Sequence, residues 1–143
     1  MELIKETKLI KRDKSEVEAK EFLRNKDLVG FFFGNRSCPW CLGFTSYLDD
    51  IYLKLQKQGA SFEVVLISSD DKEEAMFGYM DQMEIGWPAI PFNSDVRQKL
   101  IQLYDVQAIP ALIVVKKDGT VVTKDGVEEL EEKEVEAFSE WSR

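Results

Sequence analysis

Cys38 and Cys41 carry the most distinctive chemistry that the sequence offers. The two cysteines enclose Pro39 and Trp40, and they follow an apolar run from Leu28 to Phe33. Such a run is typical of a strand buried on both faces, and a helical pattern begins where the cysteines lie. Positions i and i+3 of a helix lie on one face, so the two sulfurs can close a small disulfide ring there. The spacing therefore indicates a site for reversible thiol–disulfide chemistry.

The positions of the two cysteines predict different roles for them. Cys38 would lie at the helix N-terminus, where free N–H groups and the helix dipole stabilise a thiolate. Pro39 suits the first turn, because its missing N–H leaves no helical hydrogen bond unmade. Cys41 would lie near the apolar face that Phe44 begins, where burial favours the neutral thiol. We expect Cys38 to be the exposed nucleophile and Cys41 to be the buried resolving thiol.

A Cys-x-x-Cys pattern alone also fits half of a metal site or two ordinary thiols. The chain has only two cysteines and no histidine, which excludes a four-cysteine zinc site and cysteine–histidine catalysis. The position of the pair between a strand and a helix, in a βαβ pattern, favours redox chemistry. We expect no metal and no resident cofactor, because the sequence has no nucleotide or flavin motif. Electrons must then come from an external donor.

Length, charge and terminal sequence narrow the class of protein. A chain of 143 residues predicts one domain over residues 1–143, and a formal net charge of −8 disfavours nucleic acid and anionic membranes as partners. The first residues lack the apolar core of a signal peptide, and no stretch approaches the ~20 apolar residues of a membrane span. We expect a location in the reducing cytosol and also in the nucleus. In such a compartment a Cys-x-x-Cys pair is more often catalytic than a static cross-link.

Hydrophobic periodicity predicts the elements that position the cysteines. The predicted strands cover residues 28–33, 61–67, 111–116 and 120–123, with a turn at Lys117-Asp118-Gly119. The predicted helices run from the cysteines to Gly59, from Lys72 to about Met80, onward from Ser94, and from about Glu128 to Trp141. The alternation of strands and helices predicts parallel pairing, and the final hairpin adds antiparallel strands.

Several segments admit two interpretations. Residues 8–18 predict a hairpin that leads into a short helix near Ala19 to Asn25, although a helix from Ser15 to Leu23 also fits the pattern. Asp70 follows the second central strand, so it can cap the next helix or exchange a proton with Cys41. Trp87 fits either the core or a substrate contact. The acidic residues from Glu128 to Glu136 are expected to form a solvated helix face, and the alternative is that their charge repels or selects partners.

Other segments carry a family resemblance when they are taken together. They are Phe31–Cys41, Gly43-Phe44-Thr45, Phe62–Val65, Ser68-Ser69-Asp70, Trp87 with Ile90-Pro91-Phe92, Tyr104-Asp105-Val106 and Ile109–Leu112. In these segments the chain resembles the tryparedoxin and nucleoredoxin branch of the thioredoxin superfamily, which includes nucleoredoxin-like and thioredoxin-related proteins. Ordinary thioredoxin lacks the segment that begins at Trp87, so this combination is specific.

The resemblance implies an α/β, thioredoxin-like fold, with a central mixed β-sheet and helices on both faces. An X-Pro bond before a strand is usually a trans turn. The resemblance instead implies that Ile109–Pro110 is cis and faces the disulfide, which makes Pro110 part of the catalytic site. The backbone of Ile109 would then meet an extended substrate, together with Pro39 and the exposed ring of Trp40.

The chain departs from the family pattern at four positions near the cysteines. Ser37, Trp40 and Ser69 stand at positions where relatives carry tryptophan, proline and tryptophan, and Phe32 replaces the buried aspartate of thioredoxin. The disulfide chemistry itself does not depend on these four side chains. They bear on the redox potential, the substrate and the reductant.

The resemblance implies an enzyme, a protein-disulfide reductase active in redox regulation. Its partners would be disulfide-containing proteins and an external dithiol or a thioredoxin-reductase-type electron donor. The alternative is a redox-sensitive binding module that docks a signalling protein with little turnover. Turnover of a generic disulfide substrate distinguishes the two hypotheses.

Overall fold

The computed structural model describes residues 2–143. In chain order the elements are α1 (Glu2–Lys5), β1 (Lys8–Ile10), β2 (Glu16–Glu18), α2 (Ala19–Phe22), β3 (Leu28–Gly34), α3 (Pro39–Lys57), β4 (Phe62–Ser68), α4 (Glu73–Gln82), α5 (Val96–Leu103), β5 (Ala111–Lys116), β6 (Val121–Thr123), α6 (Gly126–Lys133) and α7 (Glu136–Trp141). Across residues 2–143 no helix is both long enough and apolar enough to cross a membrane.

A four-stranded sheet, in the order β4-β3-β5-β6, forms the centre of the fold. Strand β3 pairs in parallel with β4, from Leu28 opposite Phe62 to Gly34 opposite Ser68. On its other side β3 pairs antiparallel with β5, and β5 pairs antiparallel with β6. This mixed sheet confirms the expected thioredoxin-like architecture.

Both faces of the sheet are covered, which explains why every residue of β3 and β4 is buried. Side chains alternate between the faces with period two. Phe32, Leu66 and their even-numbered neighbours pack in one core with residues of α3, α4, α6 and α7. Phe31, Ile67 and their odd-numbered neighbours pack in a second core with residues of α1, α2 and α5. The continuous apolar runs in the sequence are the consequence of this two-sided burial.

The hairpin predicted for the N-terminal region is confirmed, and the alternative helix from Ser15 to Leu23 is wrong. Leu9 of β1 lies opposite Val17 of β2, and only residues 19–22 are helical after them. The loop after α4 joins this hairpin to the edge of the sheet. Ala89 exchanges two backbone hydrogen bonds with Ile10 and also bridges to Leu66.

The C-terminal helix predicted over residues 128–141 is in fact broken into α6 and α7. Glu134 ends α6 with a positive φ of 54°, and its N–H donates to the carbonyl of Leu130 at 2.8 Å. The break changes the direction of the chain, so Leu130, Ala137 and Trp141 can all pack against the same core. Helical periodicity alone does not reveal such a break, because both halves keep the same apolar spacing.

Two glycines provide a matched test of this packing. Gly43 is an exposed residue of α3 with open space where a side chain would project, whereas a Cβ on Gly126 would lie 2.8 Å from the carbonyl oxygen of Leu112. We expect Gly43→Ala to raise the free energy of unfolding by about 0.5–1 kcal/mol, since glycine disfavours a helix interior. Gly126→Ala should lower it by about 1–3 kcal/mol through overpacking. Denaturant titration measures both changes, and equal effects of the two substitutions would contradict the assigned contact between α6 and β5.

Candidate active site

Cys38 and Cys41 lie at the start of α3, where the end of β3 places them through a short turn. Cys38 is the N-cap residue of α3, and its sulfur accepts a hydrogen bond from the backbone N–H of Cys41 at 3.1 Å. Cys38 is half-buried and Cys41 is fully buried, and both are free thiols. Pro39 is exposed at the first helical position, as predicted. The arrangement therefore offers one accessible sulfur and places a second one behind it.

Burial separates the chemistry of the two thiols. It is the largest of the effects that raise the pKa of Cys41 to about 12, and the hydrogen bond with Cys38 is the next. The negative charges of Cys38 and Asp70 add smaller contributions, and the backbone of Asn35 opposes the rise. Cys41 is therefore a neutral thiol at physiological pH. It can act as a nucleophile only after another group accepts its proton.

Asp70 is buried beside the turn that leads to the cysteines and does not cap α4. One carboxylate oxygen accepts the backbone N–H of Arg36 at 2.9 Å, and the other accepts the Ser68 hydroxyl at 2.6 Å. Helix α4 begins after Lys72, which is extended and makes no side-chain capping bond. The helix-cap interpretation of Asp70 is thus wrong. The carboxylate instead ties the loop after β4 to the loop after β3, where its charge reaches Cys41.

Two buried hydroxyl groups, those of Thr45 and Tyr79, are hydrogen-bonded in series to the backbone of Cys41, and the sequence does not predict this contact. The Thr45 hydroxyl donates to the carbonyl oxygen of Cys41 at 2.6 Å, so the Tyr79 hydroxyl must donate to Thr45. Both side chains are fully buried, and burial raises the pKa of Tyr79, which keeps it a neutral phenol. A polar threonine on the apolar face of α3, one turn after Cys41, is the signal that could have indicated this contact.

The Ile109–Pro110 peptide bond is cis, as the family resemblance implied. Trp40, Ile109 and Pro110 line one cavity of about 260 Å³ together with residues before β5. Pro110 is buried, whereas the Trp40 side chain is 55% exposed. The structure thus brings together three of the four residues expected near a substrate, and Pro39 does not line this cavity. Contact between Pro110 and the sulfurs stays a prediction.

Trp87 belongs to the core, which excludes a direct substrate contact. Its ring packs edge-on against Phe32 with centroids 6.0 Å apart, and its indole N–H donates to Asp49 at 3.2 Å. Phe92 is half-buried beneath the guanidinium of Arg97, 4.1 Å from its ring centroid. These aromatic side chains support the sheet from which the site emerges.

Comparison with known proteins identifies relatives of this chain and of its fold. The family model described as thioredoxin-like matches residues 25–121. Nucleoredoxin-like protein 1 of Homo sapiens is 33% identical over 132 residues, which cover 89% of this chain and 62% of that protein. The chain spans less than two thirds of the length of the curated relatives it matches.

Solved structures give a similar result. Thioredoxin related protein 16 of Carcinoscorpius rotundicauda is 41% identical to this chain, with a TM-score of 0.84 over 100% of both chains. That protein has a role in regulating transcription factor NF-kB activity. Tryparedoxin I of Crithidia fasciculata is 37% identical with a TM-score of 0.80, covering 92% of this chain and 88% of that chain.

A variant with a single thiol tests the effect of burial on Cys41. In Cys38→Ser we expect Cys41 to titrate well above the ordinary thiol pKa of about 8.5, because burial remains. Its pKa should lie below that of Cys41 in the natural protein, because the hydrogen bond to the Cys38 sulfur and the charge of that sulfur both raise the Cys41 pKa and are lost in the variant. The pH dependence of alkylation measures this pKa, and the same variant unfolded in guanidinium is the control. Equal titration of the folded and unfolded thiols would show that burial does not hold the proton.

Proposed function

Because this chain belongs to the thioredoxin-like family, in its nucleoredoxin and tryparedoxin branch, we propose that it reduces protein disulfides through its Cys-Pro-Trp-Cys centre. The observation that carries the proposal is the asymmetry of the two thiols. Cys38 is partly accessible at the start of α3, and Cys41 is buried and protonated one turn away. An attacking thiol and a resolving thiol require this division.

The reaction proceeds in two exchanges. The thiolate of Cys38 attacks one sulfur of the substrate disulfide, forms a mixed disulfide and releases the other sulfur as a thiolate, which takes up a proton. Cys41 then loses its proton and attacks the sulfur of Cys38. The Cys38–Cys41 disulfide forms, and the second substrate sulfur leaves. The substrate gains two electrons and two protons, and the enzyme dithiol is oxidised.

Each cycle leaves the enzyme oxidised, so a further turnover needs an external donor. An external dithiol, or a donor of the thioredoxin-reductase type, can attack the Cys38–Cys41 disulfide and restore both thiols. The reducing cytosol and the nucleus supply such donors, and we place the protein there. The reaction itself requires no resident cofactor, since both exchanges take place between sulfur atoms.

The substrate would lie across the cavity that Trp40 shares with Ile109 and Pro110. Ile109 lines this cavity, so its backbone can pair with an extended substrate strand. The exposed indole of Trp40 and the ring of Pro39 add apolar contact beside the attacked disulfide. These four residues bind and orient the substrate, and the two sulfurs carry out the exchange.

Variants of the two thiols test the mechanism directly. With insulin as substrate and dithiothreitol as donor, we expect Cys38→Ser to lower turnover by at least about a hundredfold. Cys41→Ser should also turn over far more slowly, and when it is reduced and mixed with insulin without dithiothreitol it should accumulate the mixed disulfide, because the enzyme has no second thiol to resolve it. Mass spectrometry of the quenched reaction detects this species. Normal turnover by Cys41→Ser would rule out the two-thiol cycle.

Asp70 is the residue that we propose as the proton acceptor for Cys41, directly or through water. Asp70→Asn keeps an oxygen for the Arg36 N–H but removes the base, so resolution should slow by at least about tenfold while the first attack changes little. If the carboxylate acted only by raising the pKa of Cys41, the same change would speed resolution. Stopped-flow measurement of the first attack and of the resolution step distinguishes these outcomes. Asp71→Asn, at the exposed neighbouring residue, is the matched control.

A second candidate function is a redox-sensitive module that binds a signalling protein with little turnover. The similar thioredoxin related protein 16, which has a role in regulating transcription factor NF-kB activity, favours this candidate. The insulin assay separates the two. Absent turnover, together with capture of a partner by only one oxidation state, would support the binding module.

A further inference from the structure

A second groove, the acidic groove, opens on a surface that also includes Trp40. It has a volume of about 710 Å³ and lies between the first turns of α3 and the segment around the end of α6. Its lining consists of aromatic side chains, one glycine and three glutamates, namely Trp40, Gly43, Phe44, Tyr47, Glu131, Glu132 and Glu134. Trp40 lines both the acidic groove and the substrate cavity that contains Pro110.

The three glutamates of the acidic groove concentrate negative charge on its surface. Among the ion pairs of residues 2–143, none involves Glu131, Glu132 or Glu134. Lys133 lies in the same segment, but its ammonium pairs with Glu140 at 2.9 Å and lines a different cavity. The carboxylates affect the Tyr47 phenol that lines the groove. Burial is the largest cause of its raised pKa, and the charges of Glu134 and Glu131 raise the pKa further. A bound cation could pair with these carboxylates.

Hydrogen bonds fix the aromatic wall of the acidic groove before anything binds. The indole N–H of Trp40 donates to Glu131 at 3.2 Å, across 91 residues of sequence. The Tyr47 hydroxyl donates to the carbonyl oxygen of Leu130 at 2.8 Å, which joins α3 to α6. The groove therefore presents aromatic surface and carboxylates together. Lysine and arginine suit this combination, because their charge pairs with a carboxylate and their side chains pack on aromatic rings.

We propose that the acidic groove docks a basic segment, rich in lysine or arginine, that lies next to the disulfide of a protein substrate. The inference rests on the proposed disulfide-reductase function and specifies its substrate class. A basic segment in this groove would place the neighbouring disulfide beside Trp40, at the start of α3. Electrostatic complementarity of this kind speeds encounter and selects among substrates. Substrates with acidic segments at the same position would be repelled.

Three disulfide peptides that differ only in the residues beside the disulfide test the proposal. One carries lysines, one glutamines and one glutamates, and kcat/KM is measured for each. At low ionic strength we expect about a tenfold preference for the lysine peptide over the glutamate peptide, and the preference should shrink as salt screens the charges. Equal rates for the lysine and glutamate peptides would overturn the groove assignment. Failure to reduce any peptide, including the neutral one, would instead overturn the proposed function.

Variants locate the preference on the groove. The triple variant Glu131→Gln, Glu132→Gln and Glu134→Gln should lose most of the preference, and Glu132→Lys, which leaves two glutamates against one lysine, should reduce it. The matched control neutralises three exposed glutamates outside the groove, Glu16, Glu18 and Glu74, and should keep the preference. An unchanged preference in the groove variants would refute the proposal. An equal loss in the control would do so as well, because net charge alone would then explain the selectivity.

Discussion

The pairing of β3 with a strand on each side is the constraint on which the rest of the site depends. Because β4 runs parallel to β3, the ends of both strands meet at one edge of the sheet, with Gly34 opposite Ser68. Because β5 runs antiparallel, its first residue, Ala111, lies opposite Phe33 at the same edge. The cysteine turn, the loop with Asp70 and the cis-proline loop therefore emerge together.

Partial burial at that edge then sets the reactivity of the two sulfurs. A thiol enclosed by protein keeps its proton, since a charged sulfur would lose its hydration. Cys41 is enclosed and Cys38 is not fully so, although the two lie within one helical turn. The hydrogen bond from the Cys41 N–H to the Cys38 sulfur couples them. A difference in solvent access over one turn of α3 thus provides the distinction that a two-step exchange requires.

Much of this protein could be predicted from particular residues in the sequence. The apolar run before the cysteines identified β3, and the spacing of Cys38 and Cys41 identified the dithiol at a helix start. Ile109–Pro110 was recognised as a cis bond only through the family resemblance, since the dipeptide alone favours trans. The break at Glu134 was not predicted, because a left-handed residue leaves no mark on the hydrophobic pattern. The sequence does not determine the burial of Trp87 either, since a tryptophan in an apolar loop fits either environment.

The sequence by itself determined the elements and the reacting atoms, because periodicity, breakers and the spacing of cysteines are local properties of the chain. Only the tertiary structure decided which distant groups meet. In the folded chain, Asp70 accepts a hydrogen bond from the backbone of Arg36. The Tyr79 hydroxyl bonds to that of Thr45, and the Trp40 indole donates to Glu131. Each of these pairs is separated by 34 or more residues. Their contact follows from strand register and helix packing, which depend on the whole core and not on any single segment.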